Sequence, residues 1–304
     1  MNVLVTGGKG YLGRYIVDQL LNEGHTVLNY CRDMQLPFKE ERNIFVLGDL
    51  FDIPRLIQVI NEYKVDRIIH TAGQSHPGLS KEIPLGTVES NMMGTMGVLE
   101  AARLTGVKRV VLFSSECAYG EQGTGVVTLD NPLIPRTPYG VTKAACEMMG
   151  RAYNWTFGMD CVSIRCGQVY GPRHVTQEYV RDAIKAAIKG EKYILEKGAD
   201  QRIQLIYVDD AADVTVKACF AEKINDMAVY NATSGYHPTF AEILTIIKQM
   251  IPDFEYEVGP GDFGNETQGI FDLSETTKDL GYVPKVSLEE GLKRYVDWLR
   301  ENEL

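Results

Sequence analysis

Thr6-Gly7-Gly8-Lys9-Gly10-Tyr11-Leu12-Gly13 follows the apolar run Val3–Val5 and opens directly into the amphipathic stretch Tyr11–Glu23. Glycines at 7, 10 and 13 permit a tight turn, close backbone approach to a pyrophosphate and tight helix–strand packing. The helix start adds free N–H groups and the positive end of the helix dipole. This stretch therefore predicts a dinucleotide cradle after a first strand, and the chain around it agrees. Val27–Leu28, Ile44–Leu47, Ile68–Ile69 and Val110–Phe113 are too short for helices and are bounded by Gly, Asp or Ser. Between them lie the helical patterns Pro54–Tyr63 and Thr87–Thr105. Buried apolar strands alternating with helices predict an α/β fold, a doubly wound parallel sheet covered on both faces.

A further helix, Tyr139–Thr156, leads to a strand at Cys161–Arg165, and after about Cys166 the rhythm changes. Helix Glu178–Lys189, strands near Tyr193–Leu195 and Gln204–Val208, helix Ala211–Ala221 and strand Val229–Asn231 are shorter and more mixed. Helices Phe240–Met250 and Leu288–Arg300 close the chain, with Gly259–Gly269 as the long irregular segment. The expected division is a cofactor-binding part, 1–166, and a smaller, mostly substrate-binding lobe, 167–304, interleaved with the sheet.

Composition narrows the function. With 44% apolar and 24% charged residues the 304-residue chain is not disordered. Its 31 basic and 41 acidic side chains, net −10, argue against a nucleic-acid partner, which needs a basic surplus to neutralise phosphates. No run approaches the ~18 apolar residues of a membrane span, and the N-terminus shows no secretory pattern. Six scattered cysteines suggest a reducing, cytoplasmic setting, and neither they nor the five histidines show metal-ligand spacing.

The end of strand two decides the adenine side. An NAD site wants an acid there for the ribose hydroxyls, but the run Asn29-Tyr30-Cys31-Arg32-Asp33 places Cys31 at that point. Arg32 suits a 2′-phosphate, so NADP(H) is expected over NAD(H). The competing reading makes Arg32 a solvated charge and Asp33 the NAD acid.

Four features converge: Gly7-x-x-Gly10-x-x-Gly13; Gly48-Asp49-Leu50; Ile69-His70-Thr71-Ala72-Gly73; and Ser114-Ser115-Glu116-Cys117-Ala118-Tyr119-Gly120 followed by Pro138-Tyr139-Gly140-Val141-Thr142-Lys143. Together they resemble the extended short-chain dehydrogenase/reductases, the NAD(P)-dependent epimerase/dehydratase family of sugar-modifying enzymes, whose fold is Rossmann-type. Tyr207-Val208-Asp209-Asp210 and Leu280-Gly281-Tyr282-Val283-Pro284 extend the resemblance almost end to end.

Tyr139 and Lys143 are four apart at a helix start, hence on one face. A phenol is a poor base near neutrality, and a neighbouring ammonium moves it toward useful acid–base behaviour. Ser115, after strand five, is placed to hydrogen-bond the same substrate oxygen. The resemblance implies that Ser115, Tyr139 and Lys143 move a proton while hydride passes to or from the nicotinamide. It also implies Asp49 and Leu50 around the adenine, Thr71, Ala72 and Gly73 along the diphosphate and ribose, and Asn91 on the helix behind the site. Tyr11, Leu12, Ser114 and Cys166 join the cofactor contacts, and Gln74 the substrate contacts.

Glu116 and Cys117 set this chain apart. The family's 4,6-dehydratases carry Asp-Glu at these two positions, while its fucose-type and galactose-type epimerase-reductases use a cysteine at the second to shuttle protons at carbon. Cys117 is therefore a candidate carbon acid/base if its pKa is lowered, against a buried structural thiol. Glu116 is a candidate substrate contact. Arginines that usually grip a nucleotide-sugar diphosphate are missing: Ile203 stands at one position, with Arg202 one step off register, and Val258-Gly259-Pro260-Gly261-Asp262 covers the other. Gln168 replaces the usual Asn. Arg173 and Arg202 are the candidate substitutes, and His174 is read as a loop residue. A small sugar, sugar acid or hydroxy-ketone fits these departures, with a nucleotide-sugar epimerase or 4-ketoreductase as the alternative. The rival from another class is a non-catalytic dinucleotide sensor. Family members commonly dimerise through two helices, here Thr87–Thr105 and Tyr139–Thr156, with Met92, Met93, Met96, Met148 and Met149 either on that seam or in the core.

Overall fold

A computed structural model of the chain describes residues 1–33, 41–174, 176 and 178–302. The first half runs β1 (Asn2–Thr6), α1 (Tyr11–Asn22), β2 (Thr26–Cys31), β3 (Asn43–Leu47), α2 (Ile53–Glu62), β4 (Arg67–His70), α3 (Pro77–Glu82) and α4 (Pro84–Val88). A π turn (Glu89–Met93), α5 (Gly94–Thr105), β5 (Arg109–Ser115), a 3-10 turn (Glu116–Ala118), α6 (Pro138–Phe157) and β6 (Cys161–Cys166) complete it. Then come β7 (Gln168–Tyr170), α7 (Tyr179–Lys189), β8 (Tyr193–Leu195), β9 (Leu205–Tyr207), α8 (Val208–Phe220) and β10 (Val229–Ala232). The chain ends with α9 (Phe240–Met250), β11 (Tyr256–Val258), α10 (Ser274–Leu280) and α11 (Leu288–Asn302).

Seven parallel strands form the central sheet in the order β10-β6-β5-β4-β1-β2-β3. Period-two alternation in β1 shows why it sits in the middle. Val3 and Val5 enter one apolar cluster with Ile16, Val17 and Val214, while Leu4 enters the opposite one with Leu56 and Val98. Both faces are thus covered, the condition that favours parallel sheets. Strand order reverses between β1 and β4, where Thr6 pairs with His70, and ligands of such sheets bind in the crevice outside that reversal.

A third cluster, built from α7, α9, α11 and the two-stranded sheets β7–β9 and β8–β11, forms the smaller lobe around Phe240, Tyr295 and Leu299. Two later segments return to the sheet: β10 extends it beside β6, and α8 packs against α1.

The single helix expected at Thr87–Thr105 is instead α4, the π turn and α5. Asn91 lies in that π turn with its side chain buried, Nδ2 donating to Gln74 O at 3.0 Å and Thr142 Oγ1 at 3.0 Å. The extra backbone atoms of a π turn redirect this one side chain out of helical register, toward α6. Short elements α3, α10, β7 and β11 carry too few residues to show a periodicity and were not anticipated.

Candidate active site

The glycine-rich turn is shaped by contacts that admit no side chain. Gly7 has φ +71°, and a Cβ added at Gly13 would lie 2.2 Å from Gly7 O and 2.8 Å from Gly8 Cα. The α1 start is therefore pressed onto the turn, leaving its N–H groups open at the crevice. Thr71 Oγ1 donates to Thr6 O at 2.7 Å and Ala72 N to Thr6 Oγ1 at 3.3 Å, which ties the β4 exit to the β1 exit. Gly73 is held by Asn91, whose Oδ1 would be 2.8 Å from an added Cβ. Tyr11 Oη donates to Gly171 O at 3.2 Å and its ring meets His174 edge-on at 4.6 Å, linking cradle to lobe. Leu12 packs between two apolar clusters beneath the turn.

At the adenine end, Phe51 N donates to Asp49 Oδ1 at 2.9 Å, and Tyr30 Oη donates to Asp49 O at 2.9 Å. Leu50 fits against the small residues of α5: a Cβ at Gly97 would meet Leu50 O at 2.5 Å. Arg32 is exposed just past β2, and Lys9 Nζ lies 3.6 Å from Asp33 Oδ2. Among the described residues, the buried Asn29 Oδ1 and Ser114 Oγ have no hydrogen-bond partner. Asn29 Oδ1 lies behind the glycine turn against Gly8, and Ser114 Oγ lies at the end of β5 next to Ser115.

Sheet and α6 together bring Ser115, Tyr139 and Lys143 to one strand end. Thr137 caps α6, its Oγ1 accepting from Gly140 N at 3.1 Å, and Tyr139 N donates to Ser80 Oγ at 3.1 Å. These bonds fix the helix start, so Tyr139 and Lys143 face β5. The Ser115 hydroxyl stands beside the Tyr139 phenol and favours its ionised form. Lys143 Nζ donates to Phe113 O at 2.9 Å and lies 5.6 Å from the Tyr139 ring centroid. Burial, then Cys117, drive the Tyr139 phenol well above its ordinary pKa, while Ser115 pulls it down. Burial lowers the Lys143 ammonium. The depression of Tyr139 expected from Lys143 is thus outweighed within the protein, because desolvating a phenolate costs more than an ammonium spent on a carbonyl returns.

Cys166 is the cross-strand partner of Ser115, and its thiol is pushed up to about 12 by burial and Glu116. Cys117 N donates to Ser115 Oγ at 3.2 Å, so Cys117 orients the serine through its backbone. A thiolate there is unsupported: burial and the neighbouring Glu116 raise the thiol to about 12, the opposite of activation. Glu116 itself is raised to about 8 by burial and by Glu266. Glu266 and Gln268 come from the irregular loop after β11, and no local pattern marked them. Gln268 Nε2 donates to Glu116 O and Gly120 O, each at 3.0 Å.

Arg202 is exposed, its Nη1 donating to His237 O at 2.7 Å. Arg173, in a left-handed conformation, is exposed and lines a separate groove with Tyr15, Asp18 and Asp209. Each guanidinium follows the path of its own loop, which the sequence did not reveal. Gln168 Nε2 donates to Glu178 Oε2 at 3.2 Å, and Gln74 Nε2 to His76 O at 2.6 Å. Among the described residues no three His, Cys, Asp or Glu side chains are grouped to hold a metal ion.

A family model described as the NAD dependent epimerase/dehydratase family matches residues 3–232. The chain belongs to that family. It is 30% identical to a UDP-glucose 4-epimerase of Mycolicibacterium smegmatis, with 99% of each chain covered. It is 26% identical to a dTDP-glucose 4,6-dehydratase of Xanthomonas campestris, covering 99% of this chain and 93% of that one. The solved Thermus thermophilus UDP-glucose 4-epimerase in complex with NAD superposes with a TM-score of 0.87 at 28% identity, covering 99% of this chain and 100% of that one. Membership makes this chain an enzyme of an NAD-dependent family, and the Rossmann-type fold and the order of motifs agree with it.

Proposed function

We propose that this epimerase/dehydratase family member interconverts a secondary alcohol and a ketone on a sugar or sugar-derived substrate. The observation that carries the reading is the shared strand end: Ser115 beside Tyr139, with Lys143 anchored two residues earlier at Phe113 O. A bound nicotinamide ring supplies hydride exchange with the carbinol carbon. Tyr139 Oη gives its proton to the carbonyl oxygen or takes it from the hydroxyl. Ser115 Oγ hydrogen-bonds that oxygen and holds its orientation, and Lys143 supports the charge that develops on Tyr139. Residues 1–166 hold the cofactor, and the lobe beyond 167 closes the substrate side. Tyr139→Phe tests this. Cofactor binding is expected to persist while turnover falls by roughly 10²–10⁴-fold; retained activity overturns the assignment. Stoichiometric loss of reduced-nicotinamide absorbance with a carbonyl substrate marks a reductase, and turnover without it marks an epimerase.

NADP(H) is the favoured cofactor. Cys31 stands where an NAD-type acid would be, Lys9 engages Asp33, and exposed Arg32 suits a 2′-phosphate. Arg32→Ala is expected to weaken NADP binding about tenfold, one charge-assisted contact, and to spare NAD. An NAD preference untouched by Arg32→Ala contradicts this.

A homodimer is the favoured assembly. Leu85, Met93, Val141 and Met148 expose apolar surface on α4, the π turn and α6, whereas Met96 and Met149 pack into the core. Sedimentation should show a dimer that Met148→Glu dissociates.

A further inference from the structure

Thr6 and His70 pair across β1 and β4 where the strand order reverses, and their side chains meet. His70 is buried, with Nδ1 2.7 Å from Thr6 Oγ1 and Nε2 3.1 Å from Thr95 Oγ1 on α5. The neighbours decide which nitrogen carries the proton. Ala72 N donates to Thr6 Oγ1 at 3.3 Å, so that oxygen already accepts a peptide proton and turns its own proton to Nδ1. Nδ1 is then the acceptor, and the ring proton sits on Nε2, which donates to Thr95 Oγ1. Thr6 O also accepts from Thr71 N at 3.1 Å and from Thr71 Oγ1 at 2.7 Å. Thr6 therefore holds the turn at Thr71 and Ala72, onto which the glycine cradle is pressed: a Cβ at Gly7 would lie 2.8 Å from Ala72 N. Charge fits the same picture. His70 and Lys143 line one small cavity together with Thr95 and Cys146. The other titratable groups there, Lys143 and Cys146, both come from α6, while β1, α5 and β5 bring Thr6, Thr95 and Leu112. Burial, then Lys143, lower the imidazole to about 3. A ring that accepts at one nitrogen and donates at the other makes both bonds without a second cation beside Lys143.

We propose that His70 is a positioning residue for the dinucleotide: as the Nε2–H tautomer it holds the Thr6 hydroxyl, and through it the 71–72 turn, in the shape that the cofactor meets. The Thr95 bond sets the tilt of the ring, and the Thr6 bond does the positioning. The inference rests on dinucleotide binding by the cradle and not on the reaction assigned to Tyr139.

The test uses the full chain. Dissociation constants for NADPH and NADH are measured by fluorescence titration, and the tighter of the two is followed. Asparagine in place of His70 puts an amide oxygen near the Nδ1 position, whereas glutamine puts its amide nearer Nε2. His70→Gln is therefore expected to weaken binding about tenfold, the scale of one buried hydrogen bond, and His70→Asn to stay within about threefold of the parent. Thr6→Val removes the same bond from the other partner and should match His70→Gln, so the outcome does not hang on one variant folding. Nitrogen NMR of ring-labelled histidine in the parent chain is expected to show one imidazole protonated at Nε2 and unprotonated at Nδ1 throughout about pH 5–9, with its signals missing from His70→Gln. A ring proton on Nδ1, or titration of this ring within that range, overturns the proposal. So does an affinity that His70→Gln and Thr6→Val leave unchanged, or a His70→Asn variant as weak as His70→Gln, the mark of a ring that only fills space. Failure of both dinucleotides to bind the parent chain overturns the cradle reading and this inference with it. A bound dinucleotide indifferent to His70 removes only this inference.

Discussion

Lys143 Nζ donates to the main-chain carbonyl of Phe113 at 2.9 Å, which locks the ammonium to β5 two residues before Ser115. The lysine is thereby a fixed charge at a strand end and not a mobile surface cation. Around it, His70, Asn91, Thr95 and Cys146 leave a cavity of only ≈ 10 Å³.

That geometry separates charge from size. Lys143→Met is expected to fold and to lose roughly 10²-fold or more in kcat, because Tyr139 loses its supporting charge. Lys143→Arg should be equally inactive, since a planar guanidinium does not fit beside Phe113 O. Steady-state kinetics of both variants checks this, and an active Arg variant would show that charge alone suffices.

Gly13 tests the cradle. An added Cβ would sit 2.2 Å from Gly7 O, so Gly13→Ala must open the turn. Dinucleotide affinity is expected to fall tenfold or more, with about 1–3 kcal/mol lost in stability from overpacking. Fluorescence titration and urea unfolding read the two effects independently.

Arg165 and Glu147 form a fully buried pair at 2.6 Å, and Arg165 Nη1 also donates to Tyr119 Oη at 2.7 Å. Removing one partner leaves the other charge buried alone. Arg165→Met should therefore cost about 3–5 kcal/mol, and Arg165→Met with Glu147→Leu should recover much of it. Chemical denaturation of the two variants decides.

Glu116 predicts a pH slope. Its carboxyl is raised from 4.5 to about 8 by burial and Glu266, so the folded state holds a proton that the unfolded chain has released. Stability contributed by the protonated group is full below the unfolded pKa and declines as pH rises toward about 8. Glu116→Gln keeps the neutral shape and should flatten the decline. Urea midpoints from pH 5 to 9 measure it, and identical slopes for both proteins would refute the burial of this carboxyl.

Local chemistry made much of this legible. Alternating Val3, Leu4 and Val5 before a glycine turn could only serve a strand covered on both faces, and the four-residue spacing of Tyr139 and Lys143 put them on one helical face. Asn91 was legible as a residue behind the site, but its π turn was not, since the bulge exists to reach Gln74 and Thr142 across the fold.

Sequence by itself therefore determined the doubly wound sheet, the glycine turn after β1 and the shared helical face of Tyr139 and Lys143, because these depend on periodicity and on spacings within one element. Tertiary structure alone decided what surrounds them. It left Arg173 and Arg202 exposed, with Arg202 bonded to His237 O, raised the Cys117 thiol, and carried Glu266 and Gln268 across from the late loop to Glu116. Burial and the meeting of distant segments set those outcomes, and both arise only when the chain is closed on itself.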